Sequence, residues 1–467
     1  MERAAICAAV ELAGLTLPDD ADVTIEGSDP ILPSPHHLGE GSAVARVLTG
    51  VAAADLWRLR GGEPQRVCVD AAHAAASLRS YVHTVPLDES QRRPLTAGVS
   101  TERVIGIFAT ADGRYVQLHG SFNDGPAVLD VLGLKPPVTT EELAAAVIQR
   151  DAFELEQAFI DRRLCGGVVR SRTEWAEHPQ GRALAGRPVV TITRIGDAPP
   201  EPLPDGDRPL AGVRVIDLTR VLAGPTVAKT LAEHGADVLH ISAPGLERGG
   251  PFEIDTGIGK RQAHVDLRDP VGTSLMRQLV VDADVFSQGY RRGTIARRGF
   301  GPDDLAALRP GIVYVSENCY GGVGPWAERP GWEQLAQAAT GMSFREGQEA
   351  PDGTPRLAPA AVNDYTTGFF GAYGAMVALG RRVTEGGSWH VEVSLSATSS
   401  WYQSLGDDVD AGAAVPIDVA PFLDEMDTEC VGRLSYLRPA VQMSVTQPRW
   451  DLPPSDQGVH EPVWLPR

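Results

Sequence analysis

The chain has 467 residues, with 61 acidic against 42 basic side chains and a formal charge of −19. That balance argues against a general nucleic-acid binder, which needs a basic footprint, but leaves room for an anionic small molecule held by a local basic patch. The apolar fraction of 43% and charged fraction of 22% are those of a globular chain rather than a disordered one.

The first residues lack the basic start and long apolar run of a secretory signal. No stretch of about 18 apolar residues marks a membrane span, so no membrane partner is expected. Five cysteines, Cys7, Cys68, Cys165, Cys319 and Cys430, are scattered without metal-ligand spacing. They predict a reduced cytoplasmic protein with neither a disulfide framework nor a zinc site, and no metal is expected.

Taken in chain order, residues 1 to about 35 read as a short helix and a proline-rich loop. A helix follows over 41–60, then a Gly-Gly turn, a strand at 66–69 and an alanine-rich helix over 71–82. Residues 84–103 are polar and irregular. From 104 a strand pair turns at Ala111-Asp112-Gly113-Arg114, since Asp-Gly readily adopts φ > 0. Helices lead to a strand at 188–193. The proline-rich stretch 195–209 is the clearest linker.

Beyond it, strands and helices alternate. Strands are expected at 213–218, 236–241, 264–267, 284–289 and 312–317, with a helix over 226–234. Short apolar strands separated by helices predict an α/β fold with a doubly wound, Rossmann-like parallel sheet as the large domain. A smaller α+β domain precedes it. Ligands bind such sheets at the carboxyl ends of the strands.

Several short motifs fall at those ends. Asp217 to Pro225 joins a strand to a helix whose Gly-Pro start leaves backbone N–H groups for an anion; a plain turn is the alternative. Gly257-Ile258-Gly259-Lys260-Arg261 resembles a phosphate loop, but Ile254 and Arg261 occupy positions that need Gly and Ser/Thr. Nucleotide hydrolysis is therefore rejected, and Lys260 or Arg261 is left as a phosphate contact. Tyr290-Arg291-Arg292 and Arg297-Arg298 place guanidinium groups, suited to phosphate, just after the strand at 284–289. Asp364 opens an apolar helix, where an acid also suits the helix dipole.

The segment around 50–72 aligns without a gap on that around 374–396. Gly50 pairs with Gly374, Arg58 with Arg382, Val67 with Val391 and Val69 with Val393.

In order, Leu210 to Thr219, Ala223-Gly224-Pro225, Gly235 to Val238, Gly259-Lys260-Arg261, Asp266-Leu267, Ala283-Asp284-Val285, Arg297 with Gly299-Phe300, Gly324-Pro325, Gln337-Ala338 with Gly341, and Asp364 with Gly368 resemble the class III CoA-transferases. That family also holds the acyl-CoA racemases and carnitine-related transferases. The resemblance covers about 209–402. Phe108 to Val116, Glu174-Trp175 and His178-Pro179 resemble the family's small domain, and 40–82 resembles a second copy of 364–406.

The arrangement implied is a partial second copy of the large-domain segment over 1–83, a small α+β domain over 84–198, a CoA-binding large domain over 199–405 and an unassigned tail over 406–467. The resemblance implies CoA transfer from an acyl-CoA to a free carboxylic acid, with Asp364 as nucleophile and Glu333 as a second catalytic position. Val221, Leu222 and Ala223 match pocket positions, and Lys260 and Arg297 match CoA contacts. Arg261 and Tyr290 complete the expected coenzyme A site. A homodimer is also implied.

Ser242 and Ala243 replace the family's acidic residue and arginine, with Arg248 as a substitute cation. Residues 84–103 offer only Gly98 where the family has a glycine-rich covering loop. Glu40 stands where the second copy would carry Asp364, so one working site is expected. Trp332 stands where racemases have histidine, which disfavours racemisation. A degraded CoA-binding protein and an acyl-CoA isomerase with Glu333 and Asp364 as acid and base are the rival readings.

Overall fold

A computed structural model describes residues 1–92, 104–120, 124–246 and 250–467. Gly98 and Arg248 lie outside the described residues.

The centre is a seven-stranded sheet. Its strands are β1 (Val190–Gly196), β2 (Arg214–Leu218), β3 (Asp237–Ser242), β4 (Lys260–His264), β5 (Val285–Gln288), β6 (Val313–Asn318) and β7 (Ser388–Ser394), and they lie in the order β4-β3-β2-β5-β6-β7-β1. The six strands β2 to β7 are mutually parallel and β1 runs antiparallel to β7. Among the parallel strands this is the doubly wound dinucleotide-fold order, with its reversal between β2 and β5. The fold is therefore α/β with a Rossmann-like large sheet.

Alternation along each strand builds two cores, because successive side chains point to opposite faces. Val215, Val285, Val313 and Val315 face the helices Ala223–Glu233 and Val362–Glu385. Ile216, Phe286 and Tyr314 face the other way, against Met276, Leu279 and Leu305.

β1 lies before the expected boundary at 198 and pairs with β7 of the main sheet. β4 needs a correction. The sequence points to a strand at 264–267, whereas the strand begins at Lys260, so Lys260 and Arg261 are strand residues rather than loop residues. Their charges are neutralised in place: Lys260 pairs with Asp217 at 2.7 Å and Arg261 with Asp237 at 3.0 Å.

The smaller α+β unit is an antiparallel sheet of Ile105–Ala109, Tyr115–His119 and Gly166–Val168. Its core includes Phe108, Val116, Leu143, Leu155 and Phe159.

The N-terminal region and the tail build a third unit. Helix Leu38–Leu59 packs over a sheet of Val23–Glu26, Val67–Asp70 and Val441–Met443. Its pairing repeats that of β6, β7 and β1. Val67 lies opposite Val23 as Val391 lies opposite Val315, and Val69 lies opposite Val441 as Val393 lies opposite Val190. A Cβ on Gly50 would meet Val67 at 2.5 Å and Val441 at 2.8 Å; one on Gly374 would meet Val391 at 2.5 Å and Val190 at 2.7 Å.

The rest of the tail forms the hairpin Leu423–Thr428 and Gly432–Leu437, then an irregular strap along β4. His460 accepts from the Gln262 N–H at 3.0 Å and donates its own N–H to the Gln262 carbonyl at 2.9 Å. Leu452 accepts from the Gly259 N–H at 2.8 Å.

Candidate active site

Two cavities open where β2 reverses order with β5. One, of about 250 Å³, is lined by Arg220 to Ala223 after β2, Gly289 to Arg292 after β5, Glu317 to Cys319 at the end of β6, and Asp364. The smaller, about 120 Å³, is lined by Lys260, His240, Tyr290 and the tail residues Cys430 and Pro454 to Gln457. Arg220, Val221 and Tyr290 line both.

Val221 has φ +71°, which is unusual for a β-branched residue and such as functional sites retain. This turn delivers Leu222 as the residue before helix Ala223–Glu233. That helix lies close against Val362–Glu385. A Cβ on Gly368 would sit 2.5 Å from Thr226 Cβ and 2.7 Å from the Ala223 carbonyl oxygen. The glycine thus lets the two helix starts share one cavity.

Asp364 stands in the first turn of its helix. Glu333, 6% exposed, accepts from the Asn363 N–H at 3.1 Å and the Asp364 N–H at 2.9 Å, and also from Gln337 Nε2 at 2.7 Å. One distant carboxylate therefore satisfies two N–H groups that the helix leaves open. Glu333 is not among the cavity-lining residues.

Burial, with Glu333 and Glu317 adding repulsion, raises the Asp364 pKa well above the ordinary carboxylate value. Burial likewise raises Glu333, against its hydrogen bonds. Burial alone pushes Glu317 up to about 7. Two acids lining the cavity, and a third behind the helix start, are thus destabilised as anions.

The opposing charges come from the loops. Arg291 pairs with Asp124 at 3.1 Å and Arg292 donates to the Gly322 carbonyl at 2.6 Å. Both are exposed and line the cavity together with the half-buried Arg220 and with Arg329, whose enclosed side chain is held by Glu156 at 3.3 Å.

Lys260 is committed elsewhere. Its Nζ donates to Asp217 and to the Pro225 carbonyl, both at 2.7 Å, and it is 1% exposed. Burial would raise the Asp217 pKa, but Lys260 and His240 outweigh it and hold the group below the usual carboxylate range.

Of the residues singled out in the sequence, Val221, Leu222, Ala223, Tyr290 and Asp364 meet around one cavity, and Lys260 lines the adjoining one. Arg261 and the exposed Arg297 line neither. Glu317, Arg220, Asp124 and Arg329 were not selected from the sequence. Glu317 and Arg220 follow the strand cores of β6 and β2, the signal that was available. Asp124 and Arg329 arrive from loops whose placement needs the tertiary fold.

Among the described residues, Asp29, His37 and Glu40 bring metal-ligand atoms within 4.8 Å of one another. Their bonds are internal. His37 Nδ1 meets Glu40 at 2.8 Å and its Nε2 meets Asp408 at 3.1 Å, while Asp29 accepts from the Gly39 and Glu40 N–H groups.

A family model described as CoA-transferase family III matches residues 210–406, the span from β2 through β7. An acyl-CoA transferase of Gibberella moniliformis is 35% identical over 417 residues, covering 80% of this chain and 72% of that protein. The acetyl-coenzyme A transferase nodX of Hypoxylon pulicicidum is 32% identical over 386 residues, covering 74% of this chain and 65% of that one. A succinyl-CoA:glutarate CoA-transferase of Mus musculus is 35% identical over 210 residues, 42% of this chain and 46% of that protein. The chain belongs to CoA-transferase family III and is an enzyme of that class.

Proposed function

We propose that the protein moves CoA from an acyl-CoA to a free carboxylic acid through a covalent intermediate on Asp364. The observation that carries this reading is the position of Asp364 in a cavity at the reversal of strand order, facing the arginine-bearing loops after β2 and β5.

An Asp364 carboxylate oxygen attacks the thioester carbonyl carbon. The C–S bond breaks, giving an acyl–aspartyl anhydride and CoA thiolate. The thiolate attacks the Asp364 carbonyl carbon and expels the donor carboxylate, leaving an aspartyl–CoA thioester. The acceptor carboxylate attacks that thioester, regenerating thiolate and a new anhydride. Attack of the thiolate on the acceptor acyl carbon releases the product thioester and free Asp364. Arg220, Arg291 and Arg292 supply cations for CoA phosphates or substrate carboxylates. Glu333 acts as a positioning residue, because its oxygens are taken by the backbone N–H groups beside the nucleophile.

The attacking group must be ionised, and the Asp364 pKa is raised. Single-turnover acylation therefore increases with pH through that raised value. Intact mass after incubation with an acyl-CoA is the direct test. A CoA or acyl adduct on the native protein, absent from Asp364→Ala, is expected; no adduct, or an adduct that survives the substitution, ends the reading.

The repeated register of Val67 and Val391 with their partner strands supports reading residues 1–83 as a partial second copy, with the tail completing its sheet. The small domain of 84–198 and the CoA-binding domain of 199–405 complete this organisation, subject to the place of β1. A cytoplasmic homodimer is the assembly proposed. Light scattering at micromolar concentration tests the dimer, and a monomer there contradicts it.

A further inference from the structure

A cavity of about 320 Å³ shares no lining residue with the two at the sheet. Its walls are apolar and include Leu32, Ala76, Val415 and Ile417. Two polar side chains also line it, Arg79 and His83, both half-buried.

Arg79 differs from the buried arginines among the described residues, each of which has a carboxylate partner. Arg46 is paired with Glu233 at 2.6 Å and Arg382 with Asp284 at 2.9 Å. The Arg79 guanidinium has no hydrogen bond or ion pair among the described residues. A cation beside apolar walls is unfavourable until an anion joins it. Burial and the neighbouring Arg79 lower the His83 pKa, which keeps its imidazole neutral and able to donate one hydrogen bond.

The backbone around Arg79 is fixed. The Leu78 carbonyl accepts from the Ala361 N–H at 3.2 Å, and the Tyr81 N–H donates to the Tyr365 hydroxyl at 3.0 Å. The guanidinium is thus carried on a held turn, which lowers the ordering cost of binding. The volume lies at the lower end of small-ligand pockets.

The geometry points to a second binding site, separate from Asp364, for a free carboxylic acid with an apolar tail, its carboxylate on Arg79 and His83. The charge calls for an anion and the walls for hydrocarbon.

Octanoate is the probe, titrated calorimetrically into the full chain. Saturable binding is expected for the native protein and unchanged for Asp364→Asn, so failure of the aspartyl mechanism leaves this test intact. Arg79→Gln should weaken binding at least tenfold. Val415→Asp, at a position 73% exposed where folding is not at stake, should weaken it as well. The proposal is overturned if octanoate does not saturate, if octylamine binds as tightly, or if both variants bind as the native protein does. It is also overturned if Val415→Asp dissociates a dimer without changing octanoate affinity, which assigns the groove to a second copy.

Discussion

The helix starts at Leu38 and at Val362 are built alike and differ in what surrounds them. At Val362, the Glu333 carboxylate accepts the N–H groups of Asn363 and Asp364. At Leu38, the Asp29 carboxylate accepts those of Gly39 and Glu40 at 3.2 and 3.0 Å. The aligned positions are Gly39 with Asn363 and Glu40 with Asp364. Yet Asp364 faces a cavity with arginine-bearing loops, while Glu40 is tied to His37 at 2.8 Å. Further along, Gly368 and Gly371 of the later helix align with Val44 and Val47 of the earlier one. The later helix needs glycine because Ala223–Glu233 crosses it. The earlier helix carries buried valine at both positions. The cap is therefore a requirement of the fold, whereas the open acid and the glycine approach belong to the site.

The widest separation between the two regions should appear in activity. Asp364→Asn is expected to lower transfer by on the order of 10³-fold or more, while Glu40→Gln leaves the rate unchanged in the same assay. Equal losses would make the two acids equivalent. Next comes packing: Gly368→Val should cost roughly 1–3 kcal/mol in denaturant unfolding through overpacking against Thr226. The caps bring the regions together again, since Glu333→Ala and Asp29→Ala should each destabilise by about 1 kcal/mol. Only the first should also reduce kcat, and a drop in both would remove the distinction.

The smallest effect concerns His37, whose pKa is raised to about 9 by Glu40, against burial, with help from Asp408. Its protonated form favours the folded state. That stabilisation is complete below about 6.5 and lost as pH rises through about 9. Melting temperatures should fall across this interval in the native protein, and the fall should be reduced in His37→Gln.

The sheet was readable where parallel strands are buried on both faces. Val213 to Leu218 and Ile312 to Glu317 each hold four apolar residues in six, and the helices between them point to a parallel order. β4 was not readable, because Lys260-Arg261-Gln262 carries no apolar run. Its burial depends on Asp217 and Asp237 from other strands and on His460 from the tail. The tail hairpin was missed for a related reason: its strands alternate with many exposed positions, and one partner is Val85–Pro86, far back in sequence. At the site, Asp364 was visible through its motif. Glu333 holding its helix start was not, since a cap supplied by a carboxylate on another helix has no local signature.

The strap along β4 has a consequence for assembly of the fold. β4 is the outer strand of the main sheet, and an outer strand with open N–H and C=O groups invites pairing with other chains. Here the Gln262 groups are covered by His460 and the Gly259 N–H by Leu452. The shield is synthesised after every strand it protects. During translation the sheet therefore completes its order before its flank is closed, and a nascent or proteolysed chain lacking 452–467 presents a ready template for aggregation.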